Sequence, residues 1–132
     1  MKKVYQTDFT NVTGNCLAAC VASILECELD DVPNFVTFPN WKEEYIRFWE
    51  SKNRVPVFFH SLSDDGLLRA FERLPFTGYC IVAVQSFLHP ENLHAVVGFF
   101  ENKLLKVVHD PNPANKNKTS SDYLVAEIDL FY

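Results

Sequence analysis

Gly14-Asn15-Cys16-Leu17-Ala18-Ala19-Cys20-Val21-Ala22-Ser23-Ile24-Leu25 is the stretch that most constrains the fold. It reads as a turn that breaks directly into a helix running to about Glu26. Gly14 gives the turn its backbone freedom, and Asn15 is a good N-cap for the first-turn amides. From Cys16 to Leu25 every residue except Ser23 is apolar, so protein must wrap this helix on most sides. Cys16 takes the first helical position. There the helix dipole and unpaired backbone N–H groups lower a thiol pKa and favour the nucleophilic thiolate. The same N–H groups suit a developing oxyanion. Buried cysteines also serve simply as packing residues, so the position gains chemical meaning only from partners elsewhere.

With 132 residues the chain is long enough for one domain with a single core. Its apolar share of 48%, twelve Phe included, excludes a disordered chain. The net charge is −5 and no stripe of Lys or Arg occurs, which argues against nucleic acid as a partner. The opening Met-Lys-Lys-Val-Tyr-Gln-Thr-Asp has no apolar stretch after its lysines, so it does not read as a signal peptide. No apolar run approaches the ~20 residues of a membrane helix. Cys16, Cys20, Cys27 and Cys80 therefore read as reduced thiols in a cytoplasmic protein.

Taken in order, residues 3–8 read as an extended lead-in and 9–14 as a loop. After the Cys16 helix, Pro33 closes the Asp30-Asp31-Val32 region. An aromatic loop over 34–39 follows, and then a helix from about Trp41 to Lys52 capped by Asn40. Trp41, Tyr45, Phe48 and Trp49 fall on one apolar stripe of that helix and read as core. Residues 54–60 suggest a short strand, with Pro56 indicating an edge. Ser63 caps a third predicted helix to about Leu74, with Asp64 and Asp65 in its first turn. Tyr79–Ser86 is continuously apolar, as expected of a central strand. His94–Phe100 and Leu104–His109 read as a hairpin, 111–121 as a surface loop, and Tyr123–Tyr132 as a final strand. Helices first and then mostly antiparallel strands is the α+β pattern.

If the hairpin turn centres on Asn102, His94 faces Asp110 across the strands and His109 faces Ala95 on the other face. A histidine oriented by a carboxylate is half of a nucleophilic triad. Cys16 completes it if the fold packs that helix end against the His94 strand.

These pieces resemble the papain-like cysteine peptidase superfamily, nearest its bacteriocin-processing branch. The resemblance is carried by Gln6 upstream of Gly14-Asn15-Cys16-Leu17-Ala18-Ala19-Cys20, by His94-Ala95-Val96-Val97, and by Val108-His109-Asp110-Pro111. The chain is also similar to short bacterial and phage proteins with a Cys-x-x-x-Cys helix start and a His-Asp-Pro end. The resemblance implies a minimal papain-like domain with N-terminal helices packed on a mostly antiparallel sheet. It implies Cys16 as nucleophile, His94 as base, Asp110 as orienting residue and Gln6 as oxyanion-hole side chain beside the Cys16 amide. Gln6 stands ten residues before Cys16, farther than the family's glutamine usually does, so Asn15 and Thr13 are alternatives for that role. Leu17 replaces the glycine that commonly follows the family's cysteine.

The expected reaction is acyl transfer through a Cys16 thioester, with no cofactor, on a peptide or small amide. Hydrolysis is the first expectation; transamidation, deamidation and acyl transfer use the same machinery. Ser86, ending the central strand, is a candidate substrate-side hydrogen-bonding residue, and His89 a candidate cleft residue. Two rivals stand beside this: a zinc site built from Cys16, Cys20, His94 and His109, and an inactive scaffold that binds a protein partner through the aromatic loop Phe35–Trp41.

Overall fold

The computed structural model of the chain describes residues 1–60 and 75–132. The expected Ser63–Leu74 helix, with Asp64 and Asp65, lies outside them. Helix α1 spans Cys16–Leu25 and α2 spans Trp41–Ser51. Five strands follow the order of the chain: β1 (Pro56–Phe59), β2 (Gly78–Gln85), β3 (Leu93–Glu101), β4 (Leu104–His109) and β5 (Val125–Phe131). They form one antiparallel sheet in the order β1-β5-β2-β3-β4. The α+β class is therefore as expected, with Pro56 at the first position of an edge strand and β2 at the centre.

The continuous apolarity of β2 follows from its position. Ile81 and Val82 project to opposite faces, and both are buried. Ile81, Ala95, Val97 and Phe131 meet Ala18, Val21 and Ala22 of α1 and Tyr45 and Trp49 of α2. Val82, Val96, Phe100, Ile128 and Leu130 form a second cluster. Of the α2 stripe, Tyr45 and Trp49 are buried as expected, while Trp41 stays 41% exposed. Of the aromatic loop, Phe35 is fully buried and Phe38 is exposed. Among the described residues, no helix is long and apolar enough to cross a membrane.

Ser23, the one polar residue of α1, has no exposure. Its hydroxyl donates to the Ala19 carbonyl at 2.8 Å and accepts from the Val4 amide at 3.0 Å. The lead-in is thereby tied along α1. It forms neither helix nor strand, and the Gln6 amide donates to the Pro111 carbonyl at 3.0 Å.

Three local expectations need correction. Neither Asn15 nor Asn40 caps its helix with its side chain. Asn15 Oδ1 instead accepts from the Thr7 and Asp8 amides at 3.0 and 2.9 Å, closing the 7–14 loop. Gly14 does not use a positive φ; its role is close approach, since an added Cβ would lie 2.5 Å from the Thr10 carbonyl oxygen. The hairpin turn does not centre on Asn102. Glu101 pairs with Leu104 across a two-residue turn in which Asn102 and Lys103 both have positive φ, at 53° and 64°. A bulge then makes Val97, not Ala95, the partner of His109.

Asp129 of β5 is half-buried beside α2, where the Tyr45 hydroxyl donates to it at 3.0 Å. Burial pushes its carboxyl up to about 6, against the pull of that donor. A carboxyl raised in the fold binds more protons folded than unfolded between pH 4 and 6, so its contribution to stability falls as pH rises through that window.

Two outcomes follow from these features. Gly14→Ala should cost about 1–3 kcal/mol, because the neighbour it meets is backbone rather than a movable side chain; urea unfolding within 0.5 kcal/mol of wild type would refute the close-approach role. Asp129→Asn should gain on wild type by about 1–3 kcal/mol between pH 4 and pH 7; parallel stability curves over that range would refute the raised carboxyl.

Candidate active site

Cys16 is the first residue of α1, partly buried, and α1 packs against β3. That packing brings the sulfur to the start of β3, near the His94 side chain and the Ala95 and Leu17 amides, all of which favour its thiolate. His94 is 9% exposed. Its Nε2 donates to Asp110 Oδ1 at 2.7 Å. The nitrogen left for Cys16 is then Nδ1.

Asp110 is not the cross-strand partner of His94, as the turn argument would have it. The β3–β4 pairing stops at Val97 and His109. Asp110 follows the end of β4, and its side chain reaches His94 from there. The expected contact forms, through a different register.

Both Asp110 oxygens are saturated. Oδ1 accepts from His94 Nε2 and from the Asn112 amide at 2.8 Å. Oδ2 accepts from Asn115 Nδ2 at 2.9 Å and from the Tyr123 hydroxyl at 2.8 Å. Burial pushes the carboxyl up, but His94 and the Asn112 and Asn115 donors outweigh it, so the group lies below its ordinary range. Burial likewise opposes a charged His94, yet the bonds to Asp110 and Cys16 prevail and raise its pKa to about 9. At Cys16, burial raises the thiol, and the His94 bond and charge with the Ala95 and Leu17 amides bring it below its ordinary value. All three shifts favour the thiolate–imidazolium pair over the neutral one. A thiolate so placed can attack a carbonyl carbon, and the imidazolium beside it can deliver a proton.

A cavity of about 140 Å³ opens over this pair. Gln6, Ser86, Asn112 and Asn115 line it, with Phe9 and Leu88 among its apolar walls. Asp, Glu, Lys and Arg are absent from its walls among the described residues. Gln6 is 8% exposed. Its Nε2 donates to the Asp8 carbonyl at 3.1 Å, which leaves that nitrogen a second N–H. Its Oε1 is buried without a partner.

Ser86 lines the cavity as expected, and its hydroxyl accepts from the His89 amide at 3.1 Å, shaping the loop that carries Leu88 and His89. Asn15 does not line it: its carboxamide is used up by Thr7 and Asp8. Thr13 is likewise committed, donating to Asp8 Oδ2 at 2.8 Å. Leu17 packs against the core rather than into the cleft.

The zinc arrangement does not assemble. Among the described residues, no group of three or more His, Cys, Asp or Glu is placed to hold a metal ion. His109 instead donates from Nε2 to the Val4 carbonyl at 2.7 Å. Cys20 is fully buried, and burial pushes its thiol well above the ordinary value.

Sequence reasoning missed Asn112, Asn115 and Tyr123. The first was detectable: Asp110-Pro111-Asn112 has the pattern of a turn in which an Asp side chain accepts the amide two residues on. The other two depend on tertiary contacts. No family model matches the chain, and neither a curated protein nor a solved structure does.

Tyr123→Phe removes one donor to a charged, buried acceptor. It should cost about 1.5–3 kcal/mol at pH 7 by urea unfolding. That cost should shrink in acid, because a group whose pKa is depressed in the fold gives up its contribution as pH falls through that value. A folded Asp110 whose carboxyl signal in carbon NMR titrates at or above the ordinary carboxylate range would refute an ionised Asp110 as the acceptor.

Proposed function

We propose that the chain is a cysteine-dependent acyl-transfer enzyme of the papain-like kind, cleaving an amide bond through a thioester on Cys16. The observation that carries this reading is the aligned Cys16–His94–Asp110 series, in which every hydrogen-bonding site of the carboxylate is filled and the histidine has one nitrogen for each neighbour. Structural ion pairs rarely need a thiol at a helix start facing an open cavity.

In this reading the Cys16 thiolate adds to the substrate carbonyl. Charge moves to the carbonyl oxygen, beside the free N–H of Gln6 and the Cys16 amide at the positive end of α1. His94 gives its Nδ1 proton to the departing amine, leaving the acyl group on sulfur. It then takes a proton from water, which attacks the thioester and releases the acid and the thiolate. Asp110 stays ionised throughout and holds the tautomer with Nε2 protonated. The chemistry uses side chains and backbone alone, without a cofactor. The uncharged walls suit a neutral acyl group, from a peptide or a small amide. Four free thiols, Cys16 among them, are kept from oxidation best in a reducing compartment, which favours the cytoplasm.

The decisive measurement is iodoacetamide alkylation of each cysteine against pH, read by peptide mass spectrometry. Cys16 should react fast well below the free-thiol pKa of ~8.5, and Cys20 should stay inert. His94→Ala should slow Cys16 about tenfold or more at pH 6.5, one decade of thiolate for each unit of pKa lost. A Cys16 that titrates like a free thiol in both proteins would overturn the reading.

A further inference from the structure

A second cavity of about 140 Å³ adjoins the first, with Asn112 and Asn115 as walls common to both; neither Cys16 nor His94 lines it. Three lysines surround it. Lys3 approaches from the lead-in, while Lys116 and Lys118 come from the loop after β4. These segments are more than a hundred residues apart in the chain, so the fold has brought the charges together. Among the described residues none of the three forms an ion pair. Lys118 is the one with a close aromatic neighbour, its Nζ lying 4.5 Å from the Phe87 ring centroid.

The carboxylate in the wall, Asp110, is committed on both oxygens to the donors already described and faces the His94 imidazolium. Asp122 lies near enough to Lys118 to offset part of its charge, and no carboxylate pairs with Lys3 or Lys116 among the described residues. On a chain of net charge −5 this is a local field of the opposite sign. His109 borders the same cavity. Its Nε2 is spent on the Val4 carbonyl, and Nδ1 has no partner among the described residues. Burial and then the Lys3 charge keep it below its ordinary pKa, against the pull of the Val4 carbonyl.

We propose that this cavity binds a small tetrahedral oxyanion of the phosphate class, either free phosphate or the phosphate group of a small monoester. Like charges brought from two ends of a chain around one cavity repel, and an anion between them removes that cost. The volume holds one such ion with residual water, at about 30 Å³ per water. Cations gathered around one small concavity suit a compact ion better than an extended acidic chain, which would follow a stripe. The Asn112 Nδ2 group and the second N–H of Asn115 Nδ2 remain as donors beside those given to Asp110, and His109 Nδ1 becomes a third when the ring takes up a proton. This inference stands independently of catalysis at Cys16.

The test is histidine NMR of the full chain during titration with inorganic phosphate, with sodium chloride added to hold ionic strength constant. The His109 signals should shift to saturation, and the His109 pKa should rise as the anion offsets Lys3. A Lys116→Ala/Lys118→Ala double variant, altered only at exposed side chains, should keep the wild-type Cys16 alkylation rate and lose at least about tenfold in phosphate affinity, or 1.4 kcal/mol. Phenyl phosphate competing with phosphate at the same signals, and binding more tightly, would assign the site to a monoester; weaker binding would assign it to the free ion. A response to chloride equal to that with phosphate, or an unchanged double variant, would overturn the proposal. So would His109 shifts produced by a glutamate-rich peptide but not by phosphate, which would give the cavity to an acidic segment.

Discussion

A buried carboxylate charge is the constraint from which the rest of this site follows. The Asp110 side chain is only 5% exposed. An ion so buried costs several kcal/mol unless it is paired and its lone pairs are filled. Four donors meet that requirement, and they come from four places: β3, the turn just past β4, the short 3-10 turn at Pro113–Asn115, and Tyr123 before β5. The loop after β4 is thus organised from within. It looks like surface in composition, yet it folds around a charge. His94 inherits its orientation from the same arrangement, since a ring fixed at Nε2 has only one way to present Nδ1.

Cys16 and Cys20 show how strongly surroundings decide chemistry. They share a residue type, a helix and, one turn apart, a face. One meets an imidazole and two backbone amides and is driven toward the thiolate; the other meets apolar neighbours and is driven away from it. No property of the amino acid itself separates them.

Much of the architecture was legible because burial leaves a mark on sequence. α1 is apolar all round and is wrapped on most sides; β2 is apolar without alternation and has both faces covered; Pro56 stands at an edge. What was illegible was the choice of partner. Asn15 and Asn40 sit at helix starts as their type suggests, but Asn15 bonds backwards into the preceding loop and Asn40 reaches Glu44. The hairpin hid two departures, a turn placed between Asn102 and Lys103 with no glycine in it, and a bulge near Val108 for which Gly98 on the facing strand was the one available sign. His94 and Asp110 meet because a side chain just beyond a strand end has reach to spare, not because the strands align them. Tyr123 was invisible for the same reason: its meaning lies in a contact thirteen residues back along the chain.

The closure made by Asn15 has a consequence for kinship and for engineering. One carboxamide grips the Thr7 and Asp8 amides, and the Asn15 amide donates to the Asp8 carbonyl. The clasp sets where Gln6 stands relative to Cys16; the span between does not. Residues 9–13 form a tab hanging from that clasp, and Val12 at its tip is 79% exposed. Thr10 and Thr13 are tied to Asp8, so length is free only at the tip around Val12, where lengthening a closed loop adds only a logarithmic entropy cost. A sequence pattern that fixes the interval between glutamine and cysteine would therefore overlook proteins built on the same clasp. The tab is also a natural place to graft a new segment at the mouth of the cleft.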